Sequence, residues 1–190
     1  NFLEARLLEA EGHLEEALDT YMKVLEVQEH NRPHLYQRIG ELLQKQKKWP
    51  QAIEWFNKIL DIDNINPVAH LGLASSYLAQ RKNKLAMHEA KAAVGLQFHN
   101  PKAHFVLGIS LHRLNELDDA LQALKMVVTQ QPLHVEAHKR LAHIYARRLF
   151  DISKAARHEQ LSKDAQQKLR EKKQNRRIKS SDQKQELNTL

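Results

Sequence analysis

Twelve histidines stand among the 190 residues, so metal ligation is the first chemistry to weigh. The string "HVEAH" sets His134 and His138 four apart, a spacing that shares one helix face. It is not the H-E-x-x-H zinc string, because Glu136 falls off the i, i+4 face, and no third ligand follows at a fixed spacing. His70, His104 and His138 form a second series, each 34 residues after the last. That series follows a packing period, so the reading is structural, with one ring nitrogen satisfied by backbone or water. The serines are Ser75, Ser76, Ser110, Ser153, Ser162, Ser180 and Ser181, and none sits in a G-x-S-x-G elbow. No G-x-x-x-x-G-K phosphate loop occurs. There is no Cys, which excludes disulfides, Cys-ligated zinc, iron–sulfur clusters and a thiol nucleophile. Carboxylates such as Glu15, Glu16, Asp118 and Asp119 fall on solvent-facing positions, with no isolated pair for general acid–base work. The expectation is no catalytic residue, no cofactor and no metal.

Charge is the other chemistry on offer. The net charge of +7 divides into −6 over residues 1–30, +8 over 31–150 and +5 over 151–190. Lys168, Arg170, Lys172, Lys173, Arg176, Arg177 and Lys179 cluster near the end, a run that can bind nucleic acid or an anionic surface electrostatically. No aromatic residue is interleaved with them to stack bases, so a solvated helix end is the commoner reading. Membrane binding is likewise not expected. No apolar run approaches the roughly 18 residues of a membrane span, and the sequence leaves the compartment open.

The elements that position these groups follow a strict period. Pro33, Pro67 and Pro101 are 34 apart, as are Ala52, Ala86 and Ala120, with Ala17 placed 35 before Ala52. Gly40, Ala74, Gly108 and Ala142 make a third series with the same step. The fragments "RPHLYQRIGELL", "NPVAHLGLASSYL", "NPKAHFVLGISLHRL" and "VEAHKRLAHIYARR" repeat one pattern. Each unit holds two amphipathic helices: Leu73, Ala74 and Tyr77 mark the first in one unit, and Leu85, Ala86, Ala90 and Ala93 the second. Small residues recur where helices approach closely. Asn66-Pro67 and Asn100-Pro101 pair a cap with a proline at the first turn, where no intrahelical donor is lost. With few Gly and Pro, the chain reads as all-α.

This pattern resembles the tetratricopeptide repeat (TPR), over roughly residues 1–165. The resemblance implies a right-handed α-solenoid of about five helix pairs, with first helices lining a concave face, and protein binding rather than catalysis. Units fall at about 1–31, 32–65, 66–99, 100–133 and 134–167. The first pair reads as incomplete and lacks a cap, so more chain is expected before Asn1. A basic helix end and disordered tail are expected over 168–190. Where the family has an aromatic residue, this chain has Tyr36, then His70, His104 and His138. The chaperone-tail clamp of some family members is not matched, because the inner helices carry no corresponding Asn; His34, Gln37 and Glu41 stand there. The Asn ladder of glycosyltransferase-type repeats is absent too. A looser resemblance, of texture only, is to repeats that follow phosphodiesterase or alkaline-phosphatase-superfamily domains in bacterial proteins; it implies the regulatory region of such an enzyme.

On the concave face implied by the family, helical spacing places Val68, Leu71, Ser75 and Leu78 in one unit. The next supplies Lys102, Phe105, Ile109 and His112, with Arg113 toward the same side. The last supplies Glu136, Lys139, His143 and Arg147. Leu71, Leu78, Phe105 and Ile109 together make an exposed apolar patch in this reading, and such patches mark partner sites. The expected partner is a protein or peptide segment held in the groove. The acidic start allows head-to-tail self-association as a further possibility.

Overall fold

In the computed structural model, residues 2–27 and 32–188 are described; for Val27 and for 177–188 the backbone alone is described. Ten helices make up the described chain: α1 (Phe2–Glu11), α2 (Leu14–Val27), α3 (Pro33–Lys45), α4 (Trp49–Ile62), α5 (Pro67–Ala79), α6 (Asn83–Leu96), α7 (Pro101–Arg113), α8 (Leu117–Gln130), α9 (Val135–Arg147) and α10 (Ile152–Asn188). The side chains of Arg177, Lys179, Ser180 and Ser181, and residues 28–31, 189 and 190, lie outside that description. The chain divides into two compact units, 1–116 and 117–190.

In the first unit each helix packs on the next, from α1 to α7, and α3, α5 and α7 also touch in series. The small-residue series explain how. Ala17, Ala52 and Ala86 are fully buried, and Ala74 with them, so helices close without a side chain between them. Large residues fill what remains: Tyr21, Ile39, Leu42, Phe56 and Ile59 are buried. The Phe56 ring of α4 lies against two glycines on neighbouring helices. A Cβ at Gly40 would stand 2.9 Å from its Cζ, and one at Gly72 closer still. Hence glycine is required at both places by space rather than by backbone angle.

Local signals set the helix ends. Asn66 Oδ1 accepts from the Val68 and Ala69 amides at 3.1 Å each, and Asn100 Oδ1 from Ala103 at 3.2 Å. Within each pair the turn uses one left-handed residue: Gly12, Lys47, Arg81, Asn115 and Phe150, with φ from 53° to 91°. The residue after it closes the end of the preceding helix, as in Lys48 N–H to Leu43 O at 2.8 Å and Lys82 N–H to Tyr77 O at 2.9 Å. These bonds satisfy carbonyls that the helix end leaves open.

The second unit packs α8 on α9 and α9 on α10. Its core is Ala120, Leu121, Ala123, Leu124, Val127, Ala137, Leu141, Ile144 and Tyr145. The helical backbone of α10 continues to Asn188. Residues 168–176 are exposed throughout, as a charged stretch without an apolar face must be.

Two glycines give opposite expectations. Gly72→Ala drives a methyl into the buried Phe56 ring and should cost ~1–3 kcal/mol, the range for overpacking. Gly95, helical and with nothing within 4 Å of an added Cβ, should gain up to about 1 kcal/mol as alanine. Urea denaturation of the two variants beside the parent measures both.

Candidate functional site

Among the helices of the first unit, α3, α5 and α7 present a cavity of ≈ 530 Å³. Arg38, Glu41, Gln44 and Lys45 come from α3, Val68, Leu71, Gly72 and Ser75 from α5, and Lys102 from α7, with Phe56 at the floor. Spacing explains the set. Positions 38, 41 and 45 on α3, and 68, 71, 72 and 75 on α5, recur at three or four residues, so each group faces one way.

A polar network fixes the floor. Gln44 Nε2 donates to Gly72 O and to Ser76 Oγ, both at 2.8 Å. Ser76 Oγ, fully buried, donates back along its own helix to Gly72 O at 2.9 Å. One α3 amide thereby ties two groups of α5 in place. Most charges on the walls already have partners. Gln37 Nε2 donates to Glu41 Oε1 at 2.8 Å, and Arg38 reaches Glu41 Oε2 at 3.3 Å. Lys45 Nζ binds Glu9 Oε1 of α1 at 2.7 Å, while Tyr21 Oη donates to Glu9 Oε2 at 3.4 Å. Burial, with the Glu9 charge beside it, holds that phenol above its ordinary range. Val68 remains 38% exposed, a large apolar side chain open to solvent at the edge of the cavity.

The structure brings together Val68, Leu71 and Lys102 of the expected groove residues, with Ser75. Leu78, Phe105 and His112 are half-buried in the same unit and do not line the cavity. Ile109 corrects the sequence reading: it is 7% exposed and cannot belong to an open apolar patch. It sits in the run 106–111 of α7, which is buried at every position. Arg113 is turned to another task, donating to Leu78 O at 3.0 Å and to Asn83 Oδ1 at 3.4 Å across the α5–α6 turn. Lys139, His143 and Arg147 are exposed on α9 in the second unit, where Glu136 is bound to Arg140 at 3.0 Å. Gln44, Arg38, Lys45, Phe56 and Gly72 were not singled out from sequence. The period held the signal for one of them: Gln44 stands 34 before Leu78.

The histidine series has a shared geometry. His70 Nε2 faces Asn64 O at 3.3 Å, His104 Nε2 faces Phe98 O at 2.8 Å, and His138 Nε2 faces Pro132 O at 3.0 Å. In each case the acceptor lies six residues earlier, in the loop before the helix, so the ring donates to it. The other nitrogen differs. His70 Nδ1 meets Glu89 Oε2 at 2.7 Å, His138 Nδ1 meets His158 Nδ1 at 3.0 Å, and His104 Nδ1 is buried with no hydrogen bond. His134 is the cap of α9, its Nδ1 accepting from Ala137 N–H at 3.1 Å. Among the described residues no group of three or more His, Asp or Glu could hold a metal ion, and no helix is long and apolar enough to cross a membrane.

Two family models match the chain. The family described as "Tetratricopeptide repeat" matches residues 1–31, and "Anaphase-promoting complex, cyclosome, subunit 3" matches residues 45–127. The chain is thus similar to the tetratricopeptide repeat over part of its length. The chain is 32% identical to mouse (Mus musculus) RNA polymerase II-associated protein 3 over 100 residues, 53% of the chain and 15% of that protein. It is 26% identical to the BBSome complex member BBS4 homolog of Drosophila melanogaster over 119 residues, 63% of the chain and 24% of that protein. It therefore spans less than a quarter of either relative's length. Its fold is similar to MamA from Desulfovibrio magneticus RS-1, with TM-score 0.76, 22% identity and coverage of 86% and 92% of the two chains. It is also similar to YrrB, "a TPR protein with an unusual peptide-binding site", with TM-score 0.68, 27% identity and coverage of 85% and 82%. The enzyme-linked resemblance rests on sequence texture alone and is not carried further.

Gln44→Ala removes two hydrogen bonds between α3 and α5 while Ser76 keeps its own. The expected cost is about 1 kcal/mol of stability, read as a lower urea midpoint with an unchanged slope.

Proposed function

We propose that this chain binds a segment of a partner protein, without catalysis, in the cavity formed by α3, α5 and α7. Its likeness to tetratricopeptide-repeat proteins supports a protein-interaction module, and the cavity is the surface we assign to that role. The observation that supports it most is the pairing of open apolar walls, Val68 and Leu71, with a cation, Lys102, at one edge. Lys102 has no ion pair among the described residues, whereas Arg38 and Lys45 are held by Glu41 and Glu9. A ligand side chain on Val68 and Leu71 gains by leaving water, and a ligand carboxylate near Lys102 gains by charge. The rigid floor of Gln44, Ser76 and Gly72 lowers the ordering cost of binding. YrrB, described as having a peptide-binding site, supports a peptide segment as the ligand class.

Sequence asymmetry also offers a second copy as ligand, its acidic α1–α2 region serving as the segment. Light scattering against concentration and salt separates that from a different protein. The exposed basic stretch of α10 offers the rival surface.

The test is a library of extended peptides with apolar and acidic positions, read by fluorescence anisotropy. Leu71→Asp should weaken a selected peptide by ~1–3 kcal/mol, as for an interface anchor. Lys102→Glu should slow association and flatten its dependence on salt. The reading fails if both variants bind as the parent does while removal of residues 168–190 abolishes binding.

A further inference from the structure

Helix α10 meets α9 along a thin stripe. Among the described side chains of α10 the buried ones are Ala155, Ser162 and Ala165, and His158 lies on the same face, three after Ala155 and four before Ser162. Such small side chains bring little apolar area, so the polar contacts matter more. Ser162 Oγ reaches Val135 O at a long 3.4 Å. The short contact is the pair of imidazoles, Nδ1 to Nδ1 at 3.0 Å, with the Tyr145 ring stacked on His158 at a centroid distance of 5.7 Å and 5° between planes.

Proton bookkeeping in this pair is constrained. His138 Nε2–H donates to Pro132 O, so the neutral His138 ring presents Nδ1 as an acceptor. His158 therefore supplies the Nδ1–H of the bond. Only one proton fits between the two nitrogens at 3.0 Å. When both rings are charged, two N–H groups and two like charges face each other, and the bond cannot persist.

We propose that the His138–His158 bond is a proton-sensitive latch, which holds α10 on α9 while at most one ring is charged and releases the helix when both are. Burial and the cations around His158 oppose its charged form. From α8 come Lys125 and Val128, from the following loop Pro132, from α9 His138 and Tyr145, and from α10 Lys154, Arg157 and Leu161. The nearby acid of the α9–α10 turn, Asp151, is bound to Lys154 at 2.8 Å. Burial first, then His138, Arg157 and Lys125, push His158 below the ordinary histidine value. The released His158 thus binds a proton more strongly than the docked one. Docking is at full strength above the ordinary value of about 6.5 and weakens as pH falls through the lowered value of the docked state.

Hydrogen exchange of the whole chain at about pH 7.5 and about pH 5, corrected for the intrinsic pH dependence of exchange, reads the latch. Protection over 152–166, relative to α5 and α6, should fall about tenfold or more at the lower pH. His158→Gln keeps a donor toward His138 but does not titrate, so its relative protection should not change with pH. The proton-detected titration of His158 in the parent chain is independent of any variant and should give a midpoint below that of a free histidine. The latch is refuted by equal relative protection of the parent at both pH values, by the same loss in His158→Gln, or by a His158 midpoint at or above the ordinary value.

Discussion

The Phe56 ring sits where neither α3 nor α5 carries a side chain. Gly40 on one helix and Gly72 on the other leave a slot one ring wide, and the buried ring fills it. Close packing leaves no slack at such a place. The distance between α3 and α5 is therefore set by the thickness of an aromatic ring. Everything on the solvent side of that contact inherits its spacing. Gln44 can reach Gly72 O and Ser76 Oγ because the two helices stand this far apart. The ring lines the cavity together with the α3 and α5 side chains that wall it.

The cavity is mixed in character for a related reason. A stack of helix pairs buries the faces that touch and leaves one row of each first helix unused. Along α3 that row is polar and largely self-paired, through Gln37, Arg38 and Glu41. Along α5 it is Val68, Leu71 and Ser75. A ligand laid between them meets a satisfied polar wall on one side and an unsatisfied apolar wall on the other. That asymmetry favours a segment with one apolar face over a uniformly charged one.

The repeat was legible because its period is written in residues with few alternatives. Proline at the first turn marks three units, alanine or glycine at close approaches recurs along the chain, and the helix pairs follow. The cavity was legible only in part. Leu71 and Lys102 could be placed by helical spacing on a face that the family resemblance supplied, and both line the cavity. Ile109 could not, since spacing gives a direction and not what fills it, and in α7 neighbours cover the whole middle of the helix. Gly72 was hidden for another reason: the residues 34 to either side are Arg38 and Val106. Its glycine answers a single ring in the preceding helix rather than the repeat. The identity of ion-pair partners was equally out of reach, because Lys45 finds Glu9 across 36 positions of sequence.

The histidine series shows how a repeat can be held constant and varied at once. In all three cases Nε2 is committed to the carbonyl six residues earlier. That fixes the ring and leaves the loop geometry independent of what lies on the far side. The free nitrogen then behaves as a socket. A carboxylate in it makes an ion pair, as Glu89 does for His70; a second imidazole makes a shared-proton contact, as His158 does for His138. A different residue on the following helix changes a junction from an imidazole–carboxylate contact to a pair of imidazoles while Nε2 keeps its carbonyl. A chain built this way can acquire different environmental responses at different joints while its architecture stays the same.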